Sequence, residues 1–387
     1  MFLHTPRVAI VHEWLEHFAG SERVVEQLLL LYPQAELFAV MDFLPKEERK
    51  FLNGKKVNTS FVQKLPFSRK FFRHYLGLMP LAVEQWDFTG FDIIISSHHA
   101  VAKGVITGPD QLHVCYVHSP MRYAWDMQTT YLRQSGLQSG LKSLYLRWLL
   151  HRLRNVDVRT ASGVDVFIAN SNYIARRIRK VWRRHATTIY PPVDVENFAL
   201  STNPRKDYIV VSRMVPYKRV DLIVSAFCRI PDRNLIVVGA GTEYDKIAAL
   251  AGSAPNIKLA GRLPQEEMVR AIQGARAFVF AAEEDFGIAM VEAQACGTPV
   301  IAYGRGGALD IVNTSKDKPT GVLFDEQTPE AIIEAIHEFE RQESLITTHN
   351  CCENALKFSA TAFRTHIKAI VEKSYDQLFS DNATLEI

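Results

Sequence analysis

Short apolar runs without polar alternation recur along this chain, separated by helical or irregular segments, and they restrict its fold more than any other feature. VAIV at 8–11, IIIS at 93–96, LHVCYV at 112–117 and VFIA at 166–169 form a first set; YIVVS at 208–212, LIVV at 235–238, 257–259, 278–281 and 300–302 form a second. A strand covered on both faces reads as a continuous apolar run, which is the mark of a parallel sheet between helical layers. Alternation of such runs with helical segments predicts an α/β protein built from doubly wound sheets. Tyr190, Pro191, Pro192 and Val193 break the pattern between the two sets, and a short polar stretch at 201–206 follows, so the linker is expected there. The expected organisation is a Rossmann-like domain over 1–195, a second over 196–365, and a C-terminal helix at 366–387 that packs back toward the first. Ligands of such sheets bind at the C-terminal ends of the strands, and two such domains facing one another would enclose a central cleft.

Composition narrows the functional classes. A chain of 387 residues is long enough for two domains, each with its own core. Hydrophobic content of 47% and charged content of 22% are ordinary globular values. A net charge of +3 argues against a dedicated nucleic-acid binder, although Arg176, Arg177, Arg179, Lys180, Arg183 and Arg184 crowd one segment. The five cysteines show no metal-ligand or C-x-x-C spacing, which fits reduced thiols and a cytoplasmic protein. No stretch has the length of a signal peptide's apolar core or a spanning helix.

The strand signal AFVFAA at 277–282 is followed by Glu284 at its C-terminal end. Residues Asp285, Phe286, Gly287 and Ile288 are expected to open a helix whose free N–H groups face the strand rim, with Glu292 about two turns in. As an isolated pair, Glu284 and Glu292 would read as surface carboxylates. Ser212, Arg213, Lys218 and Arg219 bring cations to the rim after YIVVS, a placement that opposes a helix dipole and that a diphosphate would explain. Gly20 lies in the turn after the first strand, where it serves either the turn itself or close approach to a phosphate. Gly239 and Gly241 lack the rest of a dinucleotide fingerprint. His118 ends LHVCYV before SPMRYAW, a run rich in groups that bond or stack on a sugar, and His98 and His99 follow the neighbouring strand. His99 reads first as a plain histidine in a helix-start loop, whereas for His118 the functional reading leads. No metal-binding spacing is present, and no metal or other cofactor is expected.

Taken in order, SRMVPYKR (212–219), GAGTE (239–243), GRLPQEE (261–267), EEDFGIAMVEAQACGTPVIA (283–302) and GRGGALDIV (304–312) resemble the retaining glycosyltransferases of family four, which have the GT-B fold. FAGSERVVE and VHSPMRYAWD are similar to those members that use GDP-mannose in bacterial O-antigen and exopolysaccharide synthesis. The resemblance implies that Arg213 and Lys218 hold the donor diphosphate and that Glu292 binds the ribose. It further implies that Glu284, with the backbone of Asp285, Phe286 and Gly287 and the helix start at Ile288, engages the transferred sugar. Arg262 and Leu263 would border the base, His118 would contact the sugar near its C6 hydroxyl, and Gly20 would let the first domain close over the phosphates. Ala19 and Asp310 depart from the family's usual Gly and Glu.

The implied reaction is a same-face, metal-independent substitution in which His118, Arg213, Lys218 and Glu284 serve the chemistry, and the departing phosphate helps deprotonate the acceptor. The spacing offers no obvious nucleophile and acid/base pair of the glycosidase kind. Aromatic and basic residues at Phe61, Leu65, Phe67, Phe71, Phe72, Tyr75, Leu76 and Met79, and the segment 141–154, read either as buried helices or as a surface for anionic lipid. The second reading leads to a polyprenyl-diphosphate-linked saccharide as acceptor and peripheral attachment to the inner face of the cell membrane. A UDP-sugar donor, a sugar-nucleotide epimerase and an inactive regulatory subunit are the alternatives.

Overall fold

The computed structural model describes residues 5–198 and 205–385. It divides into two compact units, Met1–Pro191 with Phe363–Ile387, and Pro192–Ala362. The division falls inside the Pro-Pro pair; most of the polar stretch at 201–206 lies outside the described residues.

In the first unit seven parallel strands make one sheet: β1 (Val8–Leu15), β2 (Glu36–Asp42), β3 (Val57–Thr59), β4 (Ile93–His98), β5 (Leu112–Val117), β6 (Val166–Ala169) and β7 (Thr187–Thr188). Their order is β3-β2-β1-β4-β5-β6-β7, so the winding reverses between β1 and β4. Successive side chains alternate between faces, and both faces are covered. Ile10, Ile95 and Val114 pack under Val24 and Leu28 of the helix Gly20–Leu31 and under Phe363, Ile367, Val371 and Tyr375 of the final helix Ala360–Leu385. Val11 and Ile94 face the opposite layer with Phe72, Met79 and Val83. Cys115 and Val117 meet Ile174, Ile178 and Trp182 of the helix Asn172–Trp182. Each large buried side chain contributes roughly 1.5–3 kcal/mol, so the terminal helix is tied to this unit by its apolar stripe.

The second unit carries six parallel strands: β8 (Asp207–Val211), β9 (Leu235–Val238), β10 (Ile257–Gly261), β11 (Ala275–Phe280), β12 (Val300–Tyr303) and β13 (Gly321–Phe324). Their order is β10-β9-β8-β11-β12-β13, with the reversal between β8 and β11. Phe227, Ile332, Ile336 and Phe339 from flanking helices close one face.

Two doubly wound parallel sheets are thus present, as the apolar runs predicted. Four strands were not legible: β3 and β7 are short edges, β2 follows the apolar end of a helix too closely to stand apart, and β13 lies between polar turns. The aromatic and basic segment is mostly packed, since Phe72 and Met79 are buried and Phe61, Leu65, Tyr75 and Leu76 lean on the core. Phe67 and Phe71 remain exposed. In the 20-residue helix Leu141–Thr160, Leu150 and Leu153 point inward, whereas Leu141, Leu144, Tyr145 and Trp148 are exposed.

Candidate active site

The candidate residues of the second unit gather at the C-terminal edge of its sheet, around the point where the winding reverses. β8 delivers Ser212 and Arg213 into a loop that ends in a short 3-10 turn, Pro216–Lys218, and β11 delivers Glu284 from the neighbouring strand. The Lys218 ammonium donates a hydrogen bond to Glu284 Oε1, and both side chains are less than one-fifth exposed. Lys218 also lies 5.7 Å from the centre of the Phe280 ring. Arg213 is exposed and its guanidinium donates to the Tyr217 hydroxyl at 3.0 Å, so it is available at the rim without sharing the Lys218–Glu284 pair. The cationic start of the helix Val220–Cys228 is partly offset by Asp221, which accepts from Arg219 Nε at 3.3 Å.

The helix after Glu284 starts later than expected. It spans Ile288–Ala295, with Gly287 as its N-cap at φ 105°, a left-handed conformation that cannot continue a helix backward. Asp285, Phe286 and Gly287 therefore form a turn, and Glu292 stands about one turn into the helix rather than two. The Phe286 ring is buried against Phe358 at 5.6 Å, so it serves the packing of the turn and does not line the rim.

This turn is clamped by the loop after β12. The Gly307 N–H donates to Glu284 O at 2.8 Å, and a Cβ at Gly307 would stand 2.1 Å from Phe286 O. The loop after β9 likewise presses on the loop after β8: a Cβ at Gly239 would meet Ser212 O at 1.9 Å. The GAG and GRGG motifs thus hold the cationic and acidic loops backbone to backbone. Arg262 and Leu263 follow the edge strand β10, two strands from β8, or roughly 10 Å along the sheet. They belong to the same rim but not to the Lys218–Glu284 cluster.

In the first unit, Gly20 opens the helix Gly20–Leu31 and Ala19 is its N-cap at φ −138°, an extended conformation open to any residue, so the absence of glycine there costs nothing. Glu22 binds this loop: Oε2 accepts the Ala19 N–H at 3.1 Å and the Ser21 hydroxyl at 2.9 Å. His118 directly follows β5 and is half-buried, with Nε2 2.8 Å from Ser97 Oγ. Burial beside the imidazoles of His99 and His12 pushes its pKa down to about 3, so the ring is neutral near pH 7.

His98 is not a rim residue. It is fully buried within β4, 3.3 Å from Glu13, whose carboxylate also accepts backbone N–H groups from His99, Ala100, Val101 and Ala102. Burial alone would raise the Glu13 pKa; the His98 hydrogen bond, the charges of His99 and His98 and the backbone donors outweigh it and hold the carboxyl well below its usual range. His99 is half-buried against Trp14 at 4.7 Å.

The SPMRYAW run is largely structural. Met121 and Ala124 are core, and Trp125 Nε1 donates to Asp157 at 2.8 Å, as does Trp182 Nε1 at 2.9 Å. The same Asp157 pairs with the buried Lys103 at 2.6 Å. In the basic segment at 176–184, Arg177 is spent on Asp126 and Arg184 on backbone carbonyls. Among the described residues, no three His, Cys, Asp or Glu side chains are grouped to hold a metal.

Sequence reasoning missed His12, Glu13, Glu22 and Ser97. The available signal was polar continuation of apolar strands, His-Glu directly after VAIV and Ser-Ser directly after III.

Residues 18–197 match the family described as Glycosyltransferase Family 4, and residues 195–358 the family described as Glycosyl transferases group 1. A GDP-mannose-dependent monoacylated alpha-(1-6)-phosphatidylinositol monomannoside mannosyltransferase of Corynebacterium glutamicum is 31% identical over 196 residues, 43% of this chain and 50% of the relative. A D-inositol 3-phosphate glycosyltransferase of Mycobacteroides abscessus is 31% identical over 283 residues, 70% of this chain and 63% of the relative. The matches therefore span half to somewhat under two-thirds of these relatives. Among solved structures, Anabaena Alr3699/HepE in complex with UDP superposes with a TM-score of 0.68 at 16% identity, covering 94% of this chain and 100% of that one.

Proposed function

Because the chain belongs to the family-four glycosyltransferases of the GT-B fold, with matched regions that together run from 18 to 358, we propose that it transfers a hexose from a nucleotide sugar, GDP-mannose, to a hydroxyl of a lipid-linked saccharide in surface-polysaccharide assembly. The observation that carries this reading is the Lys218–Glu284 pair at the winding reversal of the second sheet, clamped by the Gly307 loop. Open α/β sheets bind ligands at that reversal, and a cation beside a carboxylate there suits a diphosphate next to a sugar. The relative from Corynebacterium names GDP-mannose, which favours that donor.

In the proposed reaction the bond from the sugar's anomeric carbon to the diphosphate oxygen breaks, and a bond to the acceptor oxygen forms on the same face. The acceptor proton passes to the departing phosphate, and the products are the glycoside and the nucleoside diphosphate. Lys218 and Arg213 stabilise the charge on the leaving group. Glu284 and the backbone at Asp285–Gly287, with the helix start at Ile288, position the sugar, Glu292 holds the ribose, and Arg262 and Leu263 border the base. In the first unit, Gly20 admits the phosphates closely and His118 binds a sugar hydroxyl. The proposed acceptor is a polyprenyl-diphosphate-linked saccharide, reached by peripheral attachment to an anionic membrane surface through the exposed stripe Leu141, Leu144, Tyr145 and Trp148 with Lys142 and Arg147 beside it. No described helix is long and apolar enough to cross a membrane.

The test is purified protein against a panel of nucleotide sugars, read by thermal protection and by release of free nucleotide with a lipid-linked acceptor. Protection and turnover by GDP-mannose are expected. A preference for a UDP-sugar would replace the donor, turnover without acceptor would indicate an epimerase or hydrolase, and no binding at all would leave a regulatory subunit.

A further inference from the structure

A continuous line of hydrogen-bonding groups crosses the winding reversal of the first sheet. Glu22 Oε1 faces His12 Nε2 at 3.4 Å, His12 Nδ1 faces Ser97 Oγ at 3.1 Å, and Ser97 Oγ faces His118 Nε2 at 2.8 Å. The strands set this line: His12 pairs with Ser97 across β1 and β4, and His118 directly follows β5. At the far end, the other Glu22 oxygen holds the Ala19 N–H and the Ser21 hydroxyl. One carboxylate therefore joins the loop at Gly20 to the histidine at the strand rim.

The direction of each bond follows from counting protons. Burial would raise the Glu22 pKa, but hydrogen bonds from His12 and Ser21 bring it down to about 2, so the carboxylate only accepts at neutral pH. His12 must then carry its proton on Nε2. In a neutral ring that is the only proton, so Nδ1 is a lone pair and takes the Ser97 hydroxyl proton. The Ser97 oxygen has no further proton to give and accepts from His118 Nε2–H. Since His118 is neutral, its Nδ1 is left bare. No described residue donates to that nitrogen, and the half-buried ring still reaches solvent.

We propose that Ser97 and His12 are positioning residues that lock His118 as the Nε2–H tautomer, so that its Nδ1 accepts a hydrogen bond from a sugar hydroxyl, and that Glu22 couples this setting to the Gly20 loop. The ligand named here rests on the donor reading above; the tautomer does not. The consequence is a defined selectivity. A neutral, acceptor-only nitrogen suits a hydroxyl that donates and repels a phosphate or carboxylate oxygen. A donor analogue whose hydroxyl is replaced by fluorine at the contacted position cannot donate, and it loses this bond although its size is nearly kept.

The experiment is long-range proton–nitrogen NMR on the full chain with labelled histidine, using His118→Gln to assign the resonances. In the wild-type protein His118 is expected to be protonated at Nε2 and bare at Nδ1. Ser97→Ala should release the ring into a mixture of tautomers and raise the KM for the donor about tenfold, the scale of one lost hydrogen bond. Ser97→Thr, which keeps the hydroxyl, should restore both. A wild-type His118 protonated at Nδ1, as a His12 protonated on both ring nitrogens would impose, overturns the proposal, and so does an unchanged His118 spectrum in folded Ser97→Ala. The wild-type spectrum decides even if the alanine variant fails to fold. The predicted tautomer in a protein that binds no nucleotide sugar would overturn the ligand and the donor reading together, which separates that failure from a wrong proton order.

Discussion

Lys218 and Glu284, on the loops after β8 and β11, share a hydrogen bond across the winding reversal of the second sheet, with side chains 16% and 18% exposed. Neither group is free to be changed alone. Removing the ammonium leaves a poorly hydrated carboxylate without its partner, and removing the carboxylate releases the ammonium from the position where a diphosphate would meet it. Lys218→Ala is expected to lower kcat by about 10²–10³, the scale of losing one charge-stabilising donor. Arg213→Ala should also reduce turnover strongly, with little change in melting temperature because Arg213 is exposed. Steady-state kinetics on the two variants checks both, and unchanged rates for Arg213→Ala would sink its assignment.

Glu292 should separate from that pair kinetically. It stands one turn into the helix Ile288–Ala295, beyond the turn that follows Glu284. Glu292→Ala is expected to raise the donor KM about tenfold while kcat stays within about threefold, the pattern of lost ground-state binding. A fall in kcat at constant KM would place Glu292 in the chemistry instead.

Gly307→Ala tests the clamp. The added Cβ would stand 2.1 Å from Phe286 O, and the backbone on either side must shift. A stability loss of roughly 1–3 kcal/mol is expected together with weaker donor binding, measured by urea unfolding and thermal protection. Gly163→Ala, where nothing lies within 4 Å, is the control and should behave as wild type.

Acid should destabilise the first unit at milder pH than carboxylate titration alone would require. Burial pushes the His113 pKa down to about 4 despite its hydrogen bond to Gly163 O, and burial brings His99 to about 4 as well. Between the ordinary histidine value near 6.5 and about 4, the unfolded chain binds protons that the folded protein refuses, so stability falls as pH is lowered through that window. Glu22 adds to the loss further down: its folded value of about 2 lies below the usual 4.5, so its contribution is full above 4.5 and disappears toward 2. Urea unfolding at pH 7, 5.5 and 4.5 should show a progressive decline, to which His113 alone contributes on the order of 2–3 kcal/mol. His113→Asn should flatten the slope, whatever it does to stability at pH 7.

The exposed stripe on the helix Leu141–Thr160 predicts membrane affinity. Leu141 is 86% exposed and Leu144, Tyr145 and Trp148 repeat at helical spacing on the same face. Trp148→Glu should reduce sedimentation with anionic vesicles at low salt by several-fold without changing the melting temperature. Absence of binding by the wild-type protein under those conditions would remove the membrane surface from the proposal.

Much of this was legible in the sequence because it is carried by local patterns. An apolar run such as LIVV or VFIA can only be satisfied between two covering layers, so the parallel sheets follow from composition over a few residues. The position of Glu284, Arg213 and Lys218 at strand ends is likewise a matter of chain order. The start of the helix after Glu284 was misread because a glycine's left-handed φ is imposed by the loop that clamps it, and nothing within EDFGI reveals that loop. His98 was misread as a rim group for a related reason. Its register in β4 and the approach of Glu13 from β1 bury it, and strand pairing joins residues far apart in the chain.

The sequence alone therefore determined the fold class, the edges of the sheets where ligands bind, and the motifs that mark the family. Only the tertiary structure decided which of those residues meet. It paired Lys218 with Glu284, set aside His98, Trp125 and Arg177 for the core, and ran Glu22, His12, Ser97 and His118 into one line. Local propensity acts over a few residues, whereas burial, ion pairing and proton order depend on neighbours that only the winding of the sheet brings together.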